Sequence, residues 1–162
     1  MFNHTQKSEN SYIPLISQLH EKLNELEAEN KLIQEHFKKT FHESGIGMAI
    51  LELDGSFREV NIKLAQIFGY TRAQLQGGMT FHDLMDTESI RKDSGELLDL
   101  LAGKISSYQT YKRGLDKDGA IIPLVLNVSL IKGAYGEPLY FVMQLIPVND
   151  IANLASYFEQ RG

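Results

Sequence analysis

The chain has no cysteine and no tryptophan in 162 residues, and only four prolines. Without cysteine there is no disulfide, no thiol nucleophile and no thiolate metal site. That fits a reducing compartment, and the expected location is the cytoplasm. No apolar run is long enough to span a bilayer, and the N-terminus lacks the apolar core of a signal peptide. Basic residues are scarce as well: 16 Lys and Arg stand against 21 Asp and Glu, a net charge of −5. Binding a phosphate backbone needs a basic surface, so nucleic acid is not an expected partner. Catalytic motifs are missing: there is no G-x-S-x-G, Walker loop, G-x-G-x-x-G or H-E-x-x-H. The five histidines show no metal-ligand spacing. No enzyme activity and no metal site are expected.

The 43% of hydrophobic residues is enough for one domain with a core and an appendage. Residues 1–12 are polar and read as a flexible N-terminus. Residues 13–43 read as a helix, with Pro14 in its first turn. Ile16, Leu19, Leu23, Leu26, Asn30, Ile33 and Phe37 follow one another at alternating steps of three and four, the heptad of a coiled coil. Ile16, Leu23, Asn30 and Phe37 fall at a, and Leu19, Leu26 and Ile33 at d. An Asn at a selects register and a parallel pair, so a homodimer is expected. The alternative is an amphipathic helix folded back on its own domain. The strict period outlasts what a short docking helix requires.

Residues 44–149 read as one domain. Gly47 to Leu53 and Ser56 to Val60 form two strands joined at Asp54-Gly55. Asn61 sits where a helix N-cap belongs, with Leu64, Ile67 and Phe68 at helical spacing after it. Thr71 caps a short helix, Arg72 to Gln76. One helical turn is expected over Phe81 to Met85. A helix beginning at Asp86 or Thr87 then lays Ile90, Leu97, Leu98 and Leu101 on one face until Gly103. Ser107 to Leu115, Ala120 to Ile131 and Leu139 to Ile146 are three further strands. Pro147 breaks the last, and residues 150–162 form a C-terminal helix or linker with Ile151, Leu154, Ala155 and Phe158 as its apolar positions.

The turn at Asp54-Gly55, then Val60-Asn61, Phe68-Gly69-Tyr70-Thr71 and Gln74-Leu75-x-Gly77, resembles the PAS domain. The likeness continues through Lys117-Asp118-Gly119, Gly136-Glu137-Pro138 and Tyr140-Phe141-Val142. It covers roughly Phe41 to Asp150, and its specificity lies in the order and spacing of the pieces. It implies an α+β PAS fold: a five-stranded antiparallel sheet with helices on one face, here preceded by a long N-terminal helix. Asp150-Ile151-Ala152 is similar to the Asp-Ile-Thr that often ends such modules, but Pro147 fills the position usual for that Asp.

Strand alternation sorts the sheet into two faces. Ala49, Leu51 and Leu53, then Leu124, Leu126, Val128 and Leu130, then Phe141, Met143 and Leu145 point toward the helices. The resemblance implies that a ligand lies between this face and the helices. Candidate ligand residues are Leu51, Leu64, Phe68, Leu84, Ile90, Lys112, Leu124, Leu126, Val128, Phe141 and Met143. Lys112 falls on the inner face, where it either reaches the rim or pairs with an anionic ligand. On the outer face Val125, Tyr140, Val142 and Ile146 make an apolar strip that a helix or second subunit should cover.

Flavin photosensors of this family carry a reactive Cys where this chain has His82-Asp83-Leu84-Met85, so cysteine-linked flavin is disfavoured. Haem sensors use a His where Arg91-Lys92-Asp93-Ser94 stands, with Lys92 at the ligand position, so haem is disfavoured. No cofactor is predicted, and a small apolar ligand remains open. The resemblance implies a sensory or regulatory module that relays a small-molecule or conformational signal. Its effector would be a histidine kinase or diguanylate cyclase domain downstream, or a partner in trans. The rival expectation is a ligand-free interaction and dimerisation module with a solid core.

Overall fold

The computed structural model describes residues 3–92 and 95–161, with side chains described for 12–92, 95–153, 155, 156 and 158–161. Asp93, Ser94 and the side chain of Leu154, all named above, lie outside the described residues. Two units divide the chain, 1–40 and 41–162. The first is helical: α1 spans Asn3–Glu43, its last turn falling in the second unit. It starts well ahead of residue 13, and Pro14 lies inside it. Proline removes one helical hydrogen bond without ending the helix, and Gln6, Lys7 and Glu9 are good helix formers. Met1, Phe2 and the side chains before Tyr12, in the N-terminus expected to be flexible, lie outside the described residues. Ile16, Leu19, Leu23, Leu26, Ile33 and Phe37 are exposed along α1. The Asn30 side-chain oxygen accepts from Gln34 Nε2 at 3.5 Å.

The second unit is a five-stranded antiparallel sheet in the order β2-β1-β5-β4-β3. Its strands are β1 (Gly47–Leu51), β2 (Phe57–Val60), β3 (Ser107–Leu115), β4 (Ile121–Lys132) and β5 (Pro138–Pro147). β1 ends two residues short of Leu53 because Glu52 begins the turn. Its N–H donates to the Ser56 carbonyl, and Gly55 N–H donates back to Glu52 O, both at 2.9 Å. Gly55 has φ 88, the left-handed conformation a glycine adopts without a Cβ penalty. Register places Ala49 opposite Met143 and Leu51 opposite Phe141, so the alternating apolar sets of neighbouring strands share the inner face.

Between β2 and β3 run α2 (Ile62–Phe68), α3 (Arg72–Gln76), a 3-10 turn (Phe81–Leu84), α4 (Thr87–Arg91) and α5 (Glu96–Leu101). The single helix expected after Asp86 is two. Gly95 sits at φ 78 ahead of α5, and that left-handed residue resets the helical phase. Leu100 is therefore fully buried, while Leu98 is 70% exposed and Leu101 also exposed. Ile90 and Leu97 are half-buried against the core, as the spacing predicts. The chain leaves β5 through Pro147, opposite Leu124, directly into α6 (Val148–Glu159). Lys63 Nζ lies 3.7 Å from Asp150 there. Ile151, Ala155 and Phe158 of α6 are exposed.

Asn61 is fully buried, and its side chain makes four hydrogen bonds. Oδ1 accepts from Leu64 N–H at 2.9 Å, capping α2, and from Met48 N–H at 3.0 Å, at the start of β1. Nδ2 donates to the carbonyls of Phe41 and Ile46, each at 2.9 Å. The amide's full capacity of two donors and two acceptor sites is used. Asn61→Ala would lose a helix cap and strand four backbone partners, two of them buried and two half-buried. It should lower unfolding free energy by about 2–4 kcal/mol in urea titration; a loss within experimental error would contradict the account. Asn61→Asp, whose oxygens would face two carbonyls, should be no better tolerated at neutral pH.

Candidate functional site

Between the inner sheet face and the short helices lies a cavity of about 140 Å³. Its floor is Leu51 of β1, Phe141 and Met143 of β5, Leu126 and Val128 of β4, and Tyr108 and Thr110 of β3. Register explains the grouping: Thr110 faces Leu126, Tyr108 faces Val128, and Val128 faces Met143. Its roof is Phe81, His82, Met85, Ser89, Ile90, Glu96 and Leu97, and its mouth includes Leu53, Asp54 and Gly55.

The turn at the mouth is held to the roof. Phe81 N–H donates to Gly55 O at 2.9 Å, and Ser56 bridges to Thr80. Asp54 Oδ1 accepts from the Ser56 hydroxyl at 2.6 Å and from Ser56 N–H at 2.9 Å. These bonds, the hydroxyl foremost, hold the Asp54 carboxyl below its ordinary range.

The other side is organised by Ser89 on α4. Its hydroxyl accepts from Arg113 N–H at 2.9 Å, satisfying a donor on the free edge of β3. Its carbonyl accepts from Lys112 Nζ at 2.8 Å. Lys112 and Arg113 point to opposite faces, as alternation predicts. Lys112 lines the cavity, and the Arg113 guanidinium pairs with Asp86 at 3.3 Å and Glu88 at 3.6 Å. The Glu88 carboxyl is held low, first by its bond from Lys92 and also by the charges of Lys92 and Arg113. Lys92, the C-cap residue of α4, is exposed and pairs with Glu88 at 3.1 Å.

Of the candidate ligand residues, Leu51, Ile90, Lys112, Leu126, Val128, Phe141 and Met143 line this cavity. Leu64, Phe68, Leu84 and Leu124 do not; they are fully buried in the surrounding core. Phe68 and Leu124 pack on the backbone of Gly114, where an added Cβ would meet both within 3.0 Å. Sequence reasoning missed Phe81, His82, Met85, Ser89, Glu96 and Leu97 as cavity residues, together with Tyr108 and Thr110. The last two could have been found by extending the Lys112 alternation backward along β3. Leu97 carries the period of an apolar helix face, but Phe81, His82, Met85, Ser89 and Glu96 carry no period that would mark them.

The outer-face set Val125, Tyr140, Val142 and Ile146 is half-buried. The Arg58 guanidinium lies 4.8 Å from the Tyr140 ring centre and is bonded to Glu52. Asn127 Nδ2 donates to Gln144 Oε1 at 3.2 Å within the same face. Among the described residues no helix is long and apolar enough to cross a membrane, and no cluster of His, Asp and Glu could hold a metal.

A sheet in this order, with short helices roofing a cavity on one face, is the architecture of a family of sensory modules. A family model described as the PAS fold matches residues 35–148, and the chain belongs to the PAS family. It is 35% identical over 127 residues to the probable diguanylate cyclase DgcE of Escherichia coli K12. That match covers 76% of this chain but only 11% of the relative, so the chain spans about a tenth of that protein's length. Among solved structures it is similar to a PAS domain from a two-component sensor histidine kinase. There the TM-score is 0.62 at 15% identity, over 73% of this chain and 98% of that one. It is also similar to the PAS domain, in complex with ethanol, of a LuxR-family transcriptional regulator from Burkholderia thailandensis. That TM-score is 0.58 at 20% identity, over 70% and 97% of the two chains.

A carboxylate whose pKa is lowered by folding contributes stability above its unfolded pKa and loses it as pH falls through the folded value. Acidification below the ordinary aspartate range should therefore loosen the Asp54 turn at the cavity mouth. Amide exchange at Ser56, corrected for the intrinsic pH effect, should accelerate at low pH in the wild type. Asp54→Asn keeps an acceptor without the titration, so it should flatten that profile; an unchanged profile would refute the assignment.

Proposed function

We propose that the chain is a sensory PAS module that dimerises through α1 and the outer sheet face and relays occupancy of its cavity to an effector. The observation that carries this reading is the cavity itself. Protein interiors are close-packed, and a module serving only dimerisation would gain stability by filling such a space. The rival reading, a ligand-free module with a solid core, is disfavoured on that ground. The Burkholderia PAS domain in complex with ethanol supports a small organic ligand. The matched cyclase and kinase proteins support a diguanylate cyclase or histidine kinase effector, in the same polypeptide or in trans. The module would carry no catalysis of its own, and the absence of cysteine leaves no thiol for a flavin adduct.

Dimerisation rests on the exposed heptad of α1, with Asn30 facing Asn30 near the axis. The half-buried strip Val125, Tyr140, Val142 and Ile146 supplies the second surface. The signal would cross one strand, because Met143 faces the cavity and Val142 the outer side. Wild type should sediment as a dimer, and Val142→Asp should weaken it. In a Leu23→Cys background the introduced thiol is the sole cysteine. Filling the cavity with Met143→Trp should then change the yield of the inter-subunit disulfide. Monomeric wild type would overturn the dimer, and an unchanged yield in a folded Met143→Trp protein would overturn the relay.

A further inference from the structure

Among the described residues that line the cavity Lys112 is the only Lys or Arg, and it sits on the inner face of β3 opposite Leu124. Its described hydrogen-bond partner is the Ser89 carbonyl at 2.8 Å, a neutral acceptor. The nearby carboxylates Asp86 and Glu88 are paired with Arg113 on the other face. Among the described residues no carboxylate lies within 4.0 Å of the Lys112 ammonium. Two acids do line the cavity. Asp54 is engaged by the Ser56 hydroxyl and N–H, and Glu96 lies in the first turn of α5. A half-buried ammonium has three donors, and one is used. Below it the walls are the apolar side chains of Leu126, Val128 and Met143.

We infer that the cavity takes a small organic monocarboxylate, its oxygens on the Lys112 ammonium and its apolar body on the floor formed by β4 and β5. This rests on the reading of the cavity as a ligand site and adds the ligand's chemical class. The carboxylate supplies the counter-charge that no described residue brings to within 4.0 Å of Lys112, and charge-assisted hydrogen bonds are the strong ones. The apolar body is short. A cavity of about 140 Å³ is close to the ~150 Å³ that admits benzene in an engineered core, so about six carbons fill it.

The test uses the full chain and three probes of one length: hexanoate, 1-hexanol and hexylamine, titrated by calorimetry and by NMR. Hexanoate should bind at least about tenfold more tightly than hexanol, the scale of one charge-assisted bond in a partly dry site. Lys112→Met keeps the apolar stem and should reduce that preference to about twofold or less, while Lys112→Arg should retain it. Met143→Trp should abolish binding of all three. Equal binding of hexanoate and hexanol, or a preference that survives in Lys112→Met, would overturn the carboxylate while leaving a small-molecule site standing. Preference for hexylamine would overturn it in favour of an ammonium ligand at Glu96. Binding of none of them, with amide shifts absent around the cavity, would overturn both this inference and the reading beneath it.

Discussion

The bond set of Asn61 is the constraint on which the rest of the domain depends. One buried amide holds the first turn of α2, the first residues of β1 and the carbonyl of Phe41 in the last turn of α1. Its backbone takes part too, donating from Asn61 N–H to Met48 O at 2.9 Å. With no donor or acceptor spare, movement of any one of these elements against another breaks a bond that no water can replace at a fully buried site. β1 in turn is laddered to β5, where Ala49 meets Met143 and Leu51 meets Phe141. The cavity floor and the end of α1 are thus joined through one side chain and one strand pair.

Much of this fold could be read from the residues because local signals agreed with the tertiary outcome. Asp54-Gly55 needs a left-handed glycine, Asn61 and Thr71 need to cap helices, and each does. The strands alternate cleanly because one face is buried and a slip by one residue would invert it. The reading failed at residues 87–103. A leucine-rich segment there offered a plausible helical face, but Gly95 resets the phase and moves burial to Leu100. Nothing in the spacing of Leu97, Leu98, Leu100 and Leu101 distinguishes the two phases.

The candidate site was half legible for a related reason. Alternation tells which residues face the helices, and so found Leu51, Lys112, Leu126, Val128, Phe141 and Met143. It does not tell where along that face the helices touch down. Phe68 closes on Gly114 and Leu124 at one end, which turns those positions into packed core. The open space lies further along β3 and β4, at Thr110, Tyr108 and Val128. Asn61 was legible only as a cap. Its bonds to Met48, Ile46 and Phe41 depend on how β1 lies beside α2, a relation no local pattern encodes.

The cavity walls differ in kind. The floor is a sheet whose every neighbouring strand pair is in continuous antiparallel register apart from bulges after Ile50 and Ile131. The roof is two short helices and a 3-10 turn, with exposed Leu98 and Leu101 and a left-handed break at Gly95. Few apolar contacts and short hydrogen-bonded runs mark the elements that open at low free energy. The roof is therefore the wall of the cavity that opens at the lower free energy. Hydrogen bonds on both sides limit that opening: Ser89 is clipped to Lys112 and Arg113, Asp86 N–H donates to Arg113 O at 2.8 Å, and Phe81 N–H donates to Gly55 O. Lys112 belongs to both the clip and the cavity lining. The Lys112 bond to the Ser89 carbonyl is one of several links between the α4 region and β3, beside the Arg113 N–H bond to the Ser89 hydroxyl and the Asp86 N–H bond to Arg113 O. The remaining links tie the roof to the edge strand independently of the Lys112 side chain.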